Sequence, residues 1–116
     1  MRRLRNHFIG IEQGDHVLFS DFEHDGPMWT GDGPREARSA VCFSESFRTA
    51  PSVHVSLSLW DVDAATNTRA EVLAEHVTVS GFDLVFRTWG DTRVARVRMN
   101  WLAIGELRHA DEWDLY

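Results

Sequence analysis

Lysine is absent from this chain, and cysteine occurs once. All 12 basic residues are arginine, a pattern read as genomic codon usage. A single cysteine, Cys42, excludes an internal disulfide and with it a disulfide-stapled scaffold. Cys42 stands in an apolar run, so it reads as a buried, inert thiol, with a bridge between subunits left open. No apolar run approaches the roughly 18 residues that a membrane helix needs. Arg2, Arg3 and Arg5 are followed by no apolar core, so the start is not a signal peptide. N-glycosylation sequons are missing as well. These absences leave the compartment undetermined: cytoplasmic, or exported by a route without an N-terminal mark. A basic excess is also lacking, since the net charge is −6, which argues against nucleic acid as a partner. The P-loop, G-x-S-x-G, H-E-x-x-H and C-x-x-C patterns do not occur, so no enzyme class and no cofactor is indicated.

What the chain does have is aromatic: five Trp and seven Phe in 116 residues. A chain of this length makes one domain and buries roughly 65% of its unfolded surface. Its large rings must therefore fill a core or form contact surfaces. From Arg38 onward the pattern is that of strands separated by turns, an all-β sandwich or barrel. Val53, Val55, Leu57 and Leu59 alternate with His54, Ser56, Ser58 and Trp60, which predicts a strand with one buried face. Phe82, Leu84 and Phe86 form a second run, and Ala95, Val97, Met99 and Trp101 a third. Gly90-Asp91 between them suits a type II′ turn, so 82–88 and 93–103 are expected to pair as a hairpin. The stretch 69–79 switches parity, which predicts a bulge near Glu75 and His76. Val41 and Phe43 mark a shorter strand. Residues 1–28 read as an N-terminal arm, 29–105 as the sandwich and 106–116 as an acidic tail on which Trp113 and Tyr116 can dock against a neighbour.

Candidate chemistry is sparse. Asp21, Glu23, His24 and Asp25 could hold a metal, but adjacent polar residues more often form a solvated loop, so no metal site is assigned. Arg87, Arg96 and Arg98 could bind an anion, and pairing with Asp83 or Glu75 is the simpler account. One constellation is more specific. Trp29-Thr30-Gly31-Asp32-Gly33-Pro34-Arg35 is a Gly-rich loop with an acid, Asn67-Thr68-Arg69 opens a strand, and Thr88-Trp89-Gly90-Asp91-Thr92 is a turn bearing an aromatic. An acid, an arginine and an indole on loops are the elements of a sugar site. The carboxylate accepts from adjacent hydroxyls, the guanidinium donates to oxygens, and the indole covers the C–H face. Equally, Asp32 can cap a turn, Arg69 can pair with an acid, and Trp89 can lie in the core.

The segment Val41–Gly105 resembles the H-type lectin domain, of snail agglutinin and discoidin C-terminal type. The resemblance rests on Phe43 and Phe47, Pro51 and Val53, Trp60-Asp61-Val62, Asn67 and Arg69, Gly81-Phe82, Thr88-Trp89 with Thr92, and Trp101, in that order. It implies a six-stranded antiparallel β-sandwich, assembled as a homotrimer or hexamer. It further implies a non-catalytic site for galactose- or N-acetylgalactosamine-type glycans at the junction between protomers, and roles such as cell adhesion. The carbohydrate-binding residues it implies are Gly31, Asp32, Arg69, Trp89 and Gly90. Lectin members can carry a sugar-touching histidine where this chain has Gly90, and Asp91 is the neighbouring acceptor that could compensate. That departure, with the unmarked N-terminus, also suits a structural or adaptor trimer of a larger, phage-like assembly with little sugar binding. Outward Trp60, with Trp29 and Val85, is expected to provide the apolar contact surface for self-association.

Overall fold

A computed structural model describes residues 1–5, 8–22 and 25–108. Six strands are present: β1 (Ile9–Ser20), β2 (Arg35–Cys42), β3 (Ser52–Val62), β4 (Ala70–Glu75), β5 (Gly81–Thr88) and β6 (Val94–Glu106). One four-residue helix, α1 (Pro27–Thr30), joins β1 to β2. The strands form two antiparallel sheets of three, in the orders β1-β6-β3 and β2-β5-β4. The all-β, six-stranded antiparallel sandwich expected from the sequence is the architecture observed.

Alternation explains why these residues make these strands. On β6, Ala95, Val97, Met99, Trp101 and Ala103 are buried, while Arg96, Arg98 and Asn100 face solvent. On β5, Phe82, Leu84 and Phe86 are buried against them from the opposite sheet. Phe43 and Phe47 close one end of this core. Phe43 stacks within 6.0 Å of Phe47, Phe82 and Trp101. β1 must carry glycine where Trp101 crosses it, because a Cβ on Gly14 would lie 2.9 Å from the indole Nε1.

The expected β5–β6 hairpin does not form. β5 pairs with β2 and β4, and β6 with β1 and β3, so the two are the central strands of opposite sheets. Period-two burial says which face of a strand is inward, not which strand lies beside it. Residues 89–93 instead bridge one sheet to the other. The Asp63 N–H donates to the Arg93 carbonyl at 2.9 Å, on the β3 side of that bridge. Gly90 supplies the positive φ of +70° that the bridge requires.

Other local expectations also change. The parity switch after Glu75 is the end of β4, where His76 takes φ of +53°, and not a bulge. Residues read as part of an arm form β1, paired with β6 from Ile9↔Glu106 to Ser20↔Arg96. Cys42 is exposed, because it falls on the outward parity of β2. Val85 is fully buried although it lies on the outward parity of β5. Its register neighbours are Arg38 on β2 and Leu73 on β4, and long side chains on that face cover it. Trp29 is half-buried, with Arg93 4.8 Å above its ring and Phe22 edge-on at 5.4 Å. Trp60 is 60% exposed. The apolar surface expected from Trp60, Trp29 and Val85 thus reduces to Trp60. Glu23, His24, Trp113 and Tyr116 lie outside the described residues.

Candidate functional site

Three connections converge at one end of the sandwich: 31–34 before β2, 63–69 before β4, and 89–93 after β5. Sequence chemistry dictates how each is held. The Gly33 N–H donates to the Gly90 carbonyl at 2.9 Å, joining the first connection to the third. Arg35 then fixes both. Its Nε donates to the Gly33 carbonyl at 2.9 Å, Nη1 to the Met28 carbonyl at 3.1 Å, and Nη2 to the Gly90 carbonyl at 3.2 Å. One planar guanidinium thereby ties α1 and two loops together, which a lysine could not do with the same geometry.

The second connection is clamped by two buried hydroxyls. The Arg69 N–H donates to Thr92 Oγ1 at 3.0 Å, and that hydroxyl donates to the Asn67 carbonyl at 2.6 Å. Thr88 Oγ1 donates to the Arg69 carbonyl at 2.6 Å. Thr88 and Thr92 are essentially inaccessible to solvent. Both backbone groups of Arg69 are therefore fixed, while its side chain extends into solvent beside Gly90. A Cβ at Gly90 would stand 3.4 Å from Arg69 Nε. Asp91 is committed to Asn67, accepting from its backbone N–H and its Nδ2 at 3.3 Å. The Asn67 backbone bond is the main reason the Asp91 carboxyl lies below the usual range. Asp91 is thus a loop brace, not the free acceptor that the sequence suggested.

The structure brings Gly31, Asp32, Arg69, Trp89 and Gly90 to this one end. Asp32 is exposed, and among the described residues its carboxylate has no hydrogen-bond or ion-pair partner. Between residues 35 and 98, Arg69 is the one described arginine whose guanidinium makes no hydrogen bond or ion pair. Trp89 is 40% exposed. An exposed carboxylate, an exposed guanidinium whose charged neighbour is Asp91, and a part-open indole stand on a hydrogen-bonded base; such groups can hydrogen-bond to hydroxyls and cover an apolar ring face.

The roles of Arg35, Thr88, Thr92 and Asn67 in building this base were missed from sequence. A threonine at a turn gives little sign of burial. The one available signal was Arg35 itself, placed directly after the Gly-rich loop. Asp21, read as a candidate metal ligand, accepts from the Met28 N–H at 3.0 Å and braces α1. Among the described residues, no three His, Cys, Asp or Glu side chains come together in a way that could hold a metal ion. Nor is any helix among them long and apolar enough to cross a membrane. Arg87 meets Glu36 and Glu75, and Arg96 meets Asp61, so these two outward arginines pair with acids, whereas Arg98 Nε donates to the Ser58 hydroxyl at 3.0 Å.

Comparison with known proteins bears on the family and the fold. The model of the H-type lectin domain family matches residues 38–104, more than half of the chain. The chain belongs to that family. It is 53% identical over 107 residues to a Fuscovulum blasticum protein named ATP synthase subunits region ORF 7, covering 92% of this chain and 93% of that one. One of the discoidin-1 chains of Dictyostelium discoideum is 39% identical over 75 residues, 64% of this chain and 30% of that one. The solved structure of recombinant discoidin II from the same organism superposes with a TM-score of 0.74 at 23% identity, over 94% of this chain and 41% of that one. This chain therefore spans less than half the length of those discoidins.

Proposed function

We propose that this protein is a non-catalytic carbohydrate-binding protein that recognises galactose- or N-acetylgalactosamine-type glycans. The observation that carries the reading is the pair of exposed charged side chains, Asp32 and Arg69, neither in a hydrogen bond or ion pair among the described residues, beside exposed Trp89 on hydrogen-bonded loops. Asp32 accepts from two adjacent sugar hydroxyls, Arg69 donates to a ring or hydroxyl oxygen, and Trp89 covers the C–H face. Gly31 and Gly90 contribute backbone and clearance. Family membership supports the lectin role, and such domains are in general non-catalytic. The assembly we propose is a homotrimer or hexamer in which the site lies at a protomer junction.

Gly90 favours a second reading, a structural or adaptor trimer of a larger, phage-like assembly with little sugar affinity. With φ of +70°, position 90 is strained for any residue with a side chain, so a histidine contact from there is not offered. Titration calorimetry with galactose and N-acetylgalactosamine decides between the two. The lectin reading expects saturable binding that Asp32→Ala removes while the oligomer stays intact. A folded oligomer that ignores both sugars at millimolar concentration leaves the adaptor reading standing.

A further inference from the structure

Beyond this site lies a groove of about 550 Å³, lined by Pro34, Arg35, Glu36, Glu71, Arg87, Thr88 and Trp89. Its size falls within the range of small-molecule sites. Trp89 and Pro34 belong to the same two loops as Gly90 and Asp32, so the groove shares Trp89 with the proposed sugar site and adjoins it along those loops. Its polar groups are unevenly engaged. Arg87 Nε donates to Glu36 at 2.9 Å and Nη2 to Glu75 at 2.6 Å, which holds the guanidinium while leaving Nη1 unassigned. Glu71 stands opposite Arg87 in the β4–β5 register, yet makes no ion pair or hydrogen bond with any described residue. It is an exposed carboxylate beside an arginine already occupied by two others.

We infer that this groove is a second sugar subsite, and that the protein recognises a glycan at least two rings long. The inference rests on the lectin reading above. The first ring sits against Asp32 and Arg69. The second crosses the other side of Trp89, with a hydroxyl donating to Glu71 and an oxygen accepting from Arg87 Nη1. The lining carries two carboxylates and two guanidiniums, and Glu71 is the unpaired charge, so the second ring is neutral: a hexose or N-acetylhexosamine. An acidic sugar there would face Glu71 directly.

The test is calorimetric titration of the full chain with N-acetylgalactosamine, galactose, and neutral disaccharides carrying either at the non-reducing end. The expected result is a disaccharide bound at least about tenfold tighter than its monosaccharide, the effect of one added charge-assisted hydrogen bond. Glu71→Gln should reduce that advantage, and Glu71→Arg should abolish it by filling the groove, with monosaccharide affinity unchanged in both. Equal affinity for mono- and disaccharide overturns the subsite and leaves the lectin reading intact. A disaccharide advantage that survives both variants places the second ring elsewhere and also overturns it. Loss of all sugar binding by the unaltered chain overturns both. Sedimentation of Glu71→Arg should give the unaltered mass; a smaller mass makes the groove a contact between copies and overturns the subsite.

Discussion

On the outer face of the β2-β5-β4 sheet, arginines and carboxylates other than Glu71 are closed on one another; at the adjoining loop end they are left open. Arg38 meets Glu75 at 2.8 Å, Asp83 at 3.0 Å and Glu36 at 3.4 Å, and Arg87 meets Glu75 and Glu36. His76 adds a contact to Asp83 at 3.0 Å. These partners drive Glu36, Glu75 and Asp83 below the usual carboxylate range. Arg87 is the main cause for Glu36, Arg38 for Glu75 and His76 for Asp83. A few residues away, Asp32 and Arg69 make no hydrogen bond or ion pair among the described residues, and Arg69 acts on Asp91 only through its charge, although the loops beneath them are tightly bonded. The difference separates charge that braces a fold from charge available to a ligand. A cross-strand network orients its members and satisfies them, whereas a free ion on a rigid base is already positioned for binding.

The largest effect that would sharpen this contrast lies at the open end. Asp32→Ala should weaken sugar binding at least about tenfold, since hydrogen bonds to a charged group contribute roughly 1.5–3 kcal/mol each. Its melting temperature should stay close to that of the unaltered protein, because no described residue depends on that carboxylate. A clear drop in melting temperature without loss of binding would break the distinction.

Thr92→Val tests the base beneath. It removes the hydroxyl that joins the Arg69 N–H to the Asn67 carbonyl and leaves those groups unsatisfied. The expected destabilisation is about 1–3 kcal/mol by denaturant unfolding, accompanied by weaker sugar binding as Arg69 loosens.

Acidification tests the closed network. Glu36, Glu75 and Asp83 titrate lower in the fold than in the unfolded chain, so their contribution is fully present above the ordinary carboxylate range. It disappears as pH falls through their lowered values. Melting temperature should therefore hold between pH 7 and about 5 and decline below about pH 4, with added salt muting the decline. Arg38→Met should flatten that acid limb without altering sugar affinity. A melting temperature that climbs on acidification would contradict the assignment.

The smallest effect is expected at Cys42, which is exposed on β2. Cys42→Ser should leave stability within about 0.5 kcal/mol. Loss of a higher-mass species under non-reducing conditions would show that the thiol bridges subunits.

Legibility in the sequence followed the range of each interaction. The inward face of β6 could be read because Ala95, Val97, Met99 and Trp101 alternate with polar residues within a single strand. The same rule misjudged Val85, whose cover comes from side chains on two neighbouring strands; the apolar run around Cys42 misled separately, because it says nothing about the parity of β2. The turn at Gly90-Asp91 was correctly seen as a turn and wrongly seen as a hairpin. A positive φ is a local property, whereas the partner of β5 is set by strands far away in sequence, as in the pair Arg38↔Val85. At the proposed site, Asp32, Arg69 and Trp89 were singled out through family resemblance and residue chemistry, and the fold brings their loops to one end. Arg35, Thr88 and Thr92 were not, because a positioning role exists only once distant carbonyls are brought within reach.

By itself the sequence determined an all-β domain without an internal disulfide or a long apolar run, with alternating faces and three loops rich in sugar-binding residue types. Those features depend on composition and on neighbours a few positions apart. Only the tertiary structure decided which central strands face each other across the core. It also decided that Asp91 braces a loop while Asp32 does not, and that Arg87 is held by two carboxylates while Arg69 and Glu71 make no hydrogen bond or ion pair among the described residues. Whether a charge is paired depends on what the fold places within about 4 Å of it, and in a two-sheet sandwich most of those partners come from elsewhere in the chain.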